Sequence, residues 1–191
     1  MRFLYFVRHG ESLWNVENKI CGATDIALTP LGYKQAKETG KKLVKLGITA
    51  DEMLYSPLVR AVCTAREIAG ITGIPARMEA RLTEQNFGKF ESTPRDGLEF
   101  QQAKREFALR YDGGESMLRL AQRIYNLLDE LKENPERKNY ILVAHNGIAR
   151  VVHSYFNEMT NDEYAEFGID NCDILKYEFD RQAEERRGGL W

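Results

Sequence analysis

Long hydrophobic runs are missing from this chain of 191 residues. The longest near its start, Phe3 to Val7, is five residues, too short for a signal-peptide core and far short of a membrane span. Cysteine is scarce: Cys21, Cys63 and Cys172 are odd in number and widely spaced, so they form neither a disulfide framework nor a CxxC metal clip. A dominant charge is also absent. With 27 basic against 29 acidic residues and a net charge of -2, no global field draws in nucleic acid or an anionic membrane, so any anion chemistry must come from a local cluster. There is no Walker-type glycine-lysine loop, no His, Cys or Asp cluster with metal-ligand spacing, no internal repeat and no linker. What is present is 43% apolar residues, enough to bury one core. The expectation is a soluble cytoplasmic protein with a single domain at 1–179 and a polar tail at 180–191 that frays.

The order of elements is legible from periodicity. Residues 2–7 are apolar and β-prone after Arg2, as in a strand buried on both faces, and the run stops at Arg8-His9-Gly10. Thr29-Pro30 supplies a helix N-cap with proline at the first helical position, and Ala36, Leu43 and Leu46 recur before Gly47. Met53-Leu54-Tyr55 predicts a short strand. Ser56-Pro57 then opens a helix with Leu58, Ala61, Val62, Ala65, Ile68 and Ala69 on one face and Arg60 in its first turns. Residues 75–79 read as a weak strand, and 80–114 as an irregular stretch holding one helix near 98–110. A strong amphipathic helix runs from Met117 and fails before Pro135. Tyr140 to Ala144 repeats the buried-strand pattern and ends at His145, followed by Asn146-Gly147 and another helix; Ile174 to Phe179 is a last strand. Such alternation predicts a three-layer α/β/α fold with a mostly parallel open sheet, whose ligands bind beyond the carboxyl ends of the strands. His9 and His145 both stand there.

A lone histidine on an apolar face is ordinarily a satisfied core residue, and His153, inside a helix, takes that reading. For His9 the bland reading weakens, because Arg8 precedes it and Gly10, Glu11, Ser12 and Asn15 follow. Arg8-His9-Gly10-Glu11-Ser12 with Asn15 resembles the signature of the histidine phosphatase superfamily, the group that contains cofactor-dependent phosphoglycerate mutases and many small phosphatases. The likeness continues in family order. It takes in Asn15 to Gly22, Asp25, Leu28-Thr29, Gly32 and Gln35-Ala36, then Ser56-Pro57-Leu58 with Arg60-Ala61. Leu82, Glu84, Gly88 and Glu91 follow, then Gly113-Gly114-Glu115-Ser116, and last Val143-Ala144-His145. Two departures are Phe90-Glu91-Ser92, where relatives often have an aromatic-Glu-Gly, and Asn146, where glycine is frequent.

The resemblance implies that His9 attacks phosphorus and becomes phosphohistidine, with Arg8, Arg60 and His145 binding the phosphoryl group and Glu84 protonating the departing alkoxide. It also implies substrate contacts at Asn15, Cys21, Gly22 and Asn146, and no metal or other cofactor. The chemistry suits those types. Guanidinium forks match a phosphate dianion, and cations beside an imidazole keep it neutral enough to attack. The expected partner is a small phosphate monoester; the sequence carries no signal for an oligomeric state. The short cap at 85–112 points to a phosphatase, because mutases of the family carry a longer insertion that closes over the site. Glu11-Ser12-Leu13-Trp14-Asn15 with Glu17-Asn18 looks mutase-like, which keeps phosphoglycerate mutase-type isomerisation as an alternative. A non-catalytic phospho-ligand binding module is the rival from another class.

Overall fold

A computed structural model describes residues 1–180 of the chain. Its centre is a five-stranded sheet of β1 (Phe3–Arg8), β2 (Glu52–Tyr55), β3 (Ala76–Met78), β4 (Tyr140–Ala144) and β5 (Ile174–Glu178), in the order β3-β2-β4-β1-β5. β1 pairs in parallel with β4, which pairs in parallel with β2, which pairs in parallel with β3; β5 alone is antiparallel, along β1. The α/β class and the mostly parallel sheet are as the sequence predicts.

Central strands in such a sheet are covered on both faces, which explains their unbroken apolar runs. Alternate residues of β1 and β4 serve different layers. Leu4, Phe6, Leu142 and Ala144 pack against Leu120, Ile124, Leu127 and Leu128 of α5 (Met117–Glu133) and Ile148 and Val152 of α6 (Asn146–Phe156). Tyr5, Val7, Ile141 and Val143 pack with Leu43 of α2 (Pro30–Lys45) and Ala65 and Ile68 of α3 (Val59–Thr72). Each fully buried Leu or Ile is worth roughly 1.5–3 kcal/mol. The parallel β-core therefore fixes the sheet edge from which both histidines project.

Residues 85–112 share a third, much smaller core, in which Phe90 and Tyr111 are buried with Ile20 from an earlier loop and Phe87 and Phe100 pack on them. Phe87 and Phe100 meet edge-on at 5.5 Å, and Phe90 and Tyr111 at 5.6 Å. Three buried anchors hold this cap far less firmly than the sheet is held, and it is the segment expected to open first. The predicted helix near 98–110 is shorter, α4 (Leu98–Ala103). Phe100 serves the cap core, whereas Phe107 packs on the main core beside Tyr164, 5.2 Å away, so the chain has to turn between them. Two short helices were not anticipated: α1 (Leu13–Val16) and α7 (Asn161–Glu166).

The helix after β2 also starts later than predicted. Ser56 does not cap it; the first turn begins at Val59, whose N-H is accepted by Asp25 Oδ1 at 2.7 Å from another loop. Of the tail expected at 180–191, residues 181–191 lie outside the described residues. Its first position, Asp180, accepts from the Arg2 guanidinium at 2.7 Å and from Arg137 at 3.2 Å.

The loop that carries His9 is clamped to α2 by close backbone approach. A Cβ at Gly10 would lie 2.4 Å from Gly32 O, and one at Gly32 only 2.2 Å from Glu11 O. Neither backbone can retreat, since Gly32 N-H donates to the cap residue Thr29 and Gly10 N-H to Thr64 Oγ1. Gly10→Ala is expected to cost about 1–3 kcal/mol in urea-monitored unfolding, the usual range for overpacking. A loss below about 0.5 kcal/mol would show that the loop yields.

Candidate active site

The carboxyl ends of β1 and β4 bring His9 and His145 together, their rings 5.1 Å apart and both buried. Neighbouring parallel strands in register make this unavoidable, because Arg8 pairs with Ala144. The His9 Nδ1-H donates to the Gly10 carbonyl at 2.7 Å. A carbonyl can only accept, so the proton is fixed on Nδ1 and the Nε2 lone pair is left for chemistry. His145 Nε2 lies 2.7 Å from Ser56 Oγ, and its Nδ1 is buried without a protein partner among the described residues.

Two guanidiniums share this pocket. Arg60, fully buried on the first turn of α3, donates to Gly22 O at 2.7 Å and Thr24 O at 2.8 Å; Arg8 donates to Ile169 O. Neither forms an ion pair among the described residues, and the Nε of each is buried without a partner. Burial pushes the Arg8 guanidinium down to about 10, with Arg95 adding repulsion. The same burial, together with Arg60 and Arg8, holds both imidazoles well below the usual histidine range. Two protonated rings at 5.1 Å would repel by about 3 kcal/mol at an effective dielectric of 20, so at least one must stay neutral.

Glu84 stands across the pocket, buried, with Oε2 accepting from Gly147 N-H at 2.8 Å and Oε1 from Gln85 N-H at 2.9 Å. Burial raises its carboxyl above the usual carboxylate range, more than those amides and Arg60 lower it. A Cβ at position 147 would lie 2.5 Å from Glu84 Oε1, so Gly147 is what lets the carboxyl come so close to α6.

The four further positions singled out from the sequence differ in what they offer. Asn15 Oδ1 accepts from Ser12 N-H and Oγ-H, both at 3.0 Å, and from Asn171 Nδ2 at 3.2 Å, so its carbonyl is occupied holding the loop. Cys21 is partly buried and its thiol is pushed up to about 11 by burial, which keeps it protonated and inert. Gly22 N-H is taken by Glu91 Oε2 at 3.1 Å, and its carbonyl holds Arg60. The Asn146 side chain accepts from Ile169 N-H at 3.0 Å, fixing the segment whose carbonyl holds Arg8.

Two residues with a part in the site escaped the sequence reading, and a third, Glu91, was placed by the motif without a task. Glu91 accepts from the N-H groups of Gly22, Ala23, Thr24 and Phe87 and from Thr24 Oγ1, so one carboxylate sets the very loop whose carbonyls grip Arg60. Arg95, in the cap, is desolvated, donates through Nε to Lys19 O, and faces Arg8, Arg60 and Glu84. Arg150 of α6 is largely buried, donates to Phe167 O at 3.2 Å, and lies over the Tyr164 ring. Nothing in local pattern distinguishes Arg95 or Arg150 from surface arginines. His153 is a satisfied structural residue as expected, stacked 4.3 Å from Phe167 and 3.1 Å from the Tyr177 hydroxyl.

Among the described residues no group of His, Cys, Asp and Glu side chains can hold a metal, and no helix is long and apolar enough to cross a membrane.

The model of the histidine phosphatase superfamily (branch 1) matches residues 4–187. A probable phosphoglycerate mutase, GpmB, of Erwinia tasmaniensis is 33% identical over 180 residues, covering 91% of this chain and 83% of the relative. One from Yersinia pestis is 36% identical over 149 residues, 74% and 68% of the two chains. Among solved structures, a mycobacterial glucosyl-3-phosphoglycerate phosphatase complexed with VO3 superposes with a TM-score of 0.80 at 27% identity, covering 92% and 90%. A phosphoserine phosphatase of Entamoeba histolytica, in a histidine-to-alanine mutant complexed with phosphoserine, gives 0.81 at 29% identity over 95% and 92%.

The depressed histidines set a pH dependence for the empty protein. Between their folded values and the ordinary value of 6.5 the unfolded chain binds more protons, so stability falls as pH drops through that window. Raised Glu84 works oppositely, losing its contribution as pH rises through its folded value. Urea unfolding of wild type should weaken from pH 7 to pH 5.5, and His9→Asn should weaken less. Equal slopes would mean that the His9 ring is freely hydrated.

Proposed function

Because this chain belongs to the histidine phosphatase superfamily, we propose that it is a phosphomonoester hydrolase that works through a phosphohistidine on His9. The observation that carries this reading is the set of buried nitrogens left without partners among the described residues, Arg8 Nε, Arg60 Nε and His145 Nδ1, beside the His9 ring, whose Nδ1 is held by the Gly10 carbonyl. Buried polar groups are nearly always paired, and three cationic or N-H donors in one pocket are satisfied together by a tetrahedral oxyanion.

In this reading Arg8 and Arg60 hold the phosphoryl oxygens and His9 Nε2 attacks phosphorus in line with the ester oxygen. The P-O bond to the alcohol breaks as the N-P bond forms, and the Glu84 carboxylic acid gives its proton to the departing oxygen. Glu84, now a carboxylate, takes a proton from water as that water attacks phosphorus, which returns His9 and releases inorganic phosphate. His145 donates to the equatorial oxygens as charge spreads; donors of this kind are worth roughly 3–4 kcal/mol in other enzymes. No step calls for a metal.

The leaving group would lie under the cap. Arg95 and Arg150 add two cations there without ion-pair partners among the described residues, which supports a substrate with a second negative charge. Phosphatase is preferred over mutase because the short, thinly anchored cap admits water to the phosphoenzyme. Isomerase remains the second reading, favoured by the mutase names of the relatives at 33% and 36% identity. A non-catalytic binding module is disfavoured by the buried carboxyl of Glu84, whose hold on its proton burial strengthens and which anion binding alone does not need.

A panel of phosphate monoesters, neutral and carboxylated, tests both readings by following phosphate release and 3- to 2-phosphoglycerate interconversion together. The expected result is hydrolysis, with a lower KM for esters that carry a second anion. Glu84→Gln should lower kcat about 10²–10⁴-fold for alkyl esters and much less for aryl esters, whose leaving group needs no proton. Isomerisation with little hydrolysis would replace this reading with the mutase, and binding of phosphate with no turnover of any ester would replace it with the binding module.

A further inference from the structure

Ser56 is fully buried where β2 ends, and its backbone N-H donates to Val143 O at 3.1 Å, which ties it to the neighbouring strand. Its hydroxyl has two neighbours. Leu58 N-H lies 3.3 Å away and can only donate, so Oγ accepts there; His145 Nε2 lies 2.7 Å away and can do either. If Nε2 carried the ring proton, Oγ would accept twice and its own hydrogen would have no acceptor in a closed interior. If Nε2 accepts instead, every group at this end is satisfied, and the proton resides on Nδ1.

The other end of the ring agrees. Nδ1 is buried without a partner among the described residues, in a pocket ringed by Arg8 and Arg60. A bare lone pair there would repel an incoming oxyanion, whereas an N-H would receive it. An unsatisfied buried hydroxyl costs enough to bias the two tautomers ~10- to 100-fold.

We propose that Ser56 is a positioning residue: its hydroxyl donates to His145 Nε2 and so holds the ring proton on Nδ1, turned into the pocket as a hydrogen-bond donor. The two histidines then hold their proton on the same nitrogen for opposite purposes. In His9 the Gly10 carbonyl pins Nδ1-H and frees Nε2 as a nucleophile; in His145 the Ser56 hydroxyl occupies Nε2 and frees Nδ1-H as a donor. The proposal rests on the phosphoryl-pocket reading for its purpose, but the proton position can be read without any turnover.

Long-range proton-nitrogen NMR of the intact protein with labelled histidine, without ligand at pH 7.5, reports which ring nitrogen is protonated. Wild type should show His145 with Nδ1 protonated and Nε2 imine-like. Ser56→Ala, an almost isosteric deletion, should shift the ring toward the Nε2-H form and lower kcat 10- to 100-fold. Ser56→Thr, which keeps the hydroxyl, should restore both. An Nε2-H ring in wild type overturns the proposal whatever the variants do, and so does an Nδ1-H ring that persists unchanged in Ser56→Ala. If wild type hydrolysed no phosphate ester yet showed the expected nitrogen shifts and their loss in Ser56→Ala, the functional reading would fail while the proton assignment stood.

Discussion

Two buried guanidiniums, without carboxylate partners among the described residues, are the constraint on which the site depends. Unpaired charge in a protein interior is expensive, and proteins ordinarily neutralise it with an ion pair. Here Arg60 is gripped by two backbone carbonyls and Arg8 by a third. Carbonyls stabilise the cations without cancelling them. Positive potential is therefore preserved for a ligand, and together with burial, the larger cause, it holds the adjacent rings well below the usual histidine range. A carboxylate in place of either carbonyl set would make the resting protein more comfortable and the pocket useless for an anion.

Much of the surrounding structure serves to hold those carbonyls still. Glu91 reaches from the cap to gather the amides of residues 22–24, and Asp25 caps α3 just ahead of Arg60. Asn146 fixes Ile169, whose carbonyl faces Arg8. Glu84, Glu91 and Asp25 thus spend their carboxylates on backbone N-H groups and form no ion pair with Arg8 or Arg60 among the described residues. Cap and pocket are joined through Glu91, so a movement of the cap is felt at Arg60.

The sequence revealed the parts whose physics is local. Buried strands read as unbroken apolar runs, and β1 and β4 each end in a histidine, so the meeting of His9 and His145 followed once the sheet was taken as parallel. Helix α2 announced itself through Thr29, whose hydroxyl accepts the expected cap bond, and α5 through its apolar periodicity; the Ser116 cap of α5 came only with the structure. Arg8, Arg60 and Glu84 came from motif order, and the structure brings them to the same pocket. What stayed hidden depends on long-range partners. Ser56 looked like a helix cap, but that task falls to Asp25, far away in the chain, and its hydroxyl turns to His145. Arg95 and Arg150 have no pattern of their own; only the fold turns them inward. The α7 helix was legible and passed over, since Thr160 and Glu163 form a capping box. Helix α1, a single turn capped by Asn15, is too short for periodicity to register.

The central claim is that an oxyanion held by Arg8, Arg60 and His145 passes its phosphoryl group to His9 Nε2. Quenching a reacting mixture in alkali, where phosphohistidine survives, and mapping the modified peptide by mass spectrometry tests it most directly. The account predicts one acid-labile phosphoryl group on the peptide that contains His9, with none in His9→Ala. A phosphoryl group on any other residue, or turnover of ester that continues in His9→Ala, would contradict it.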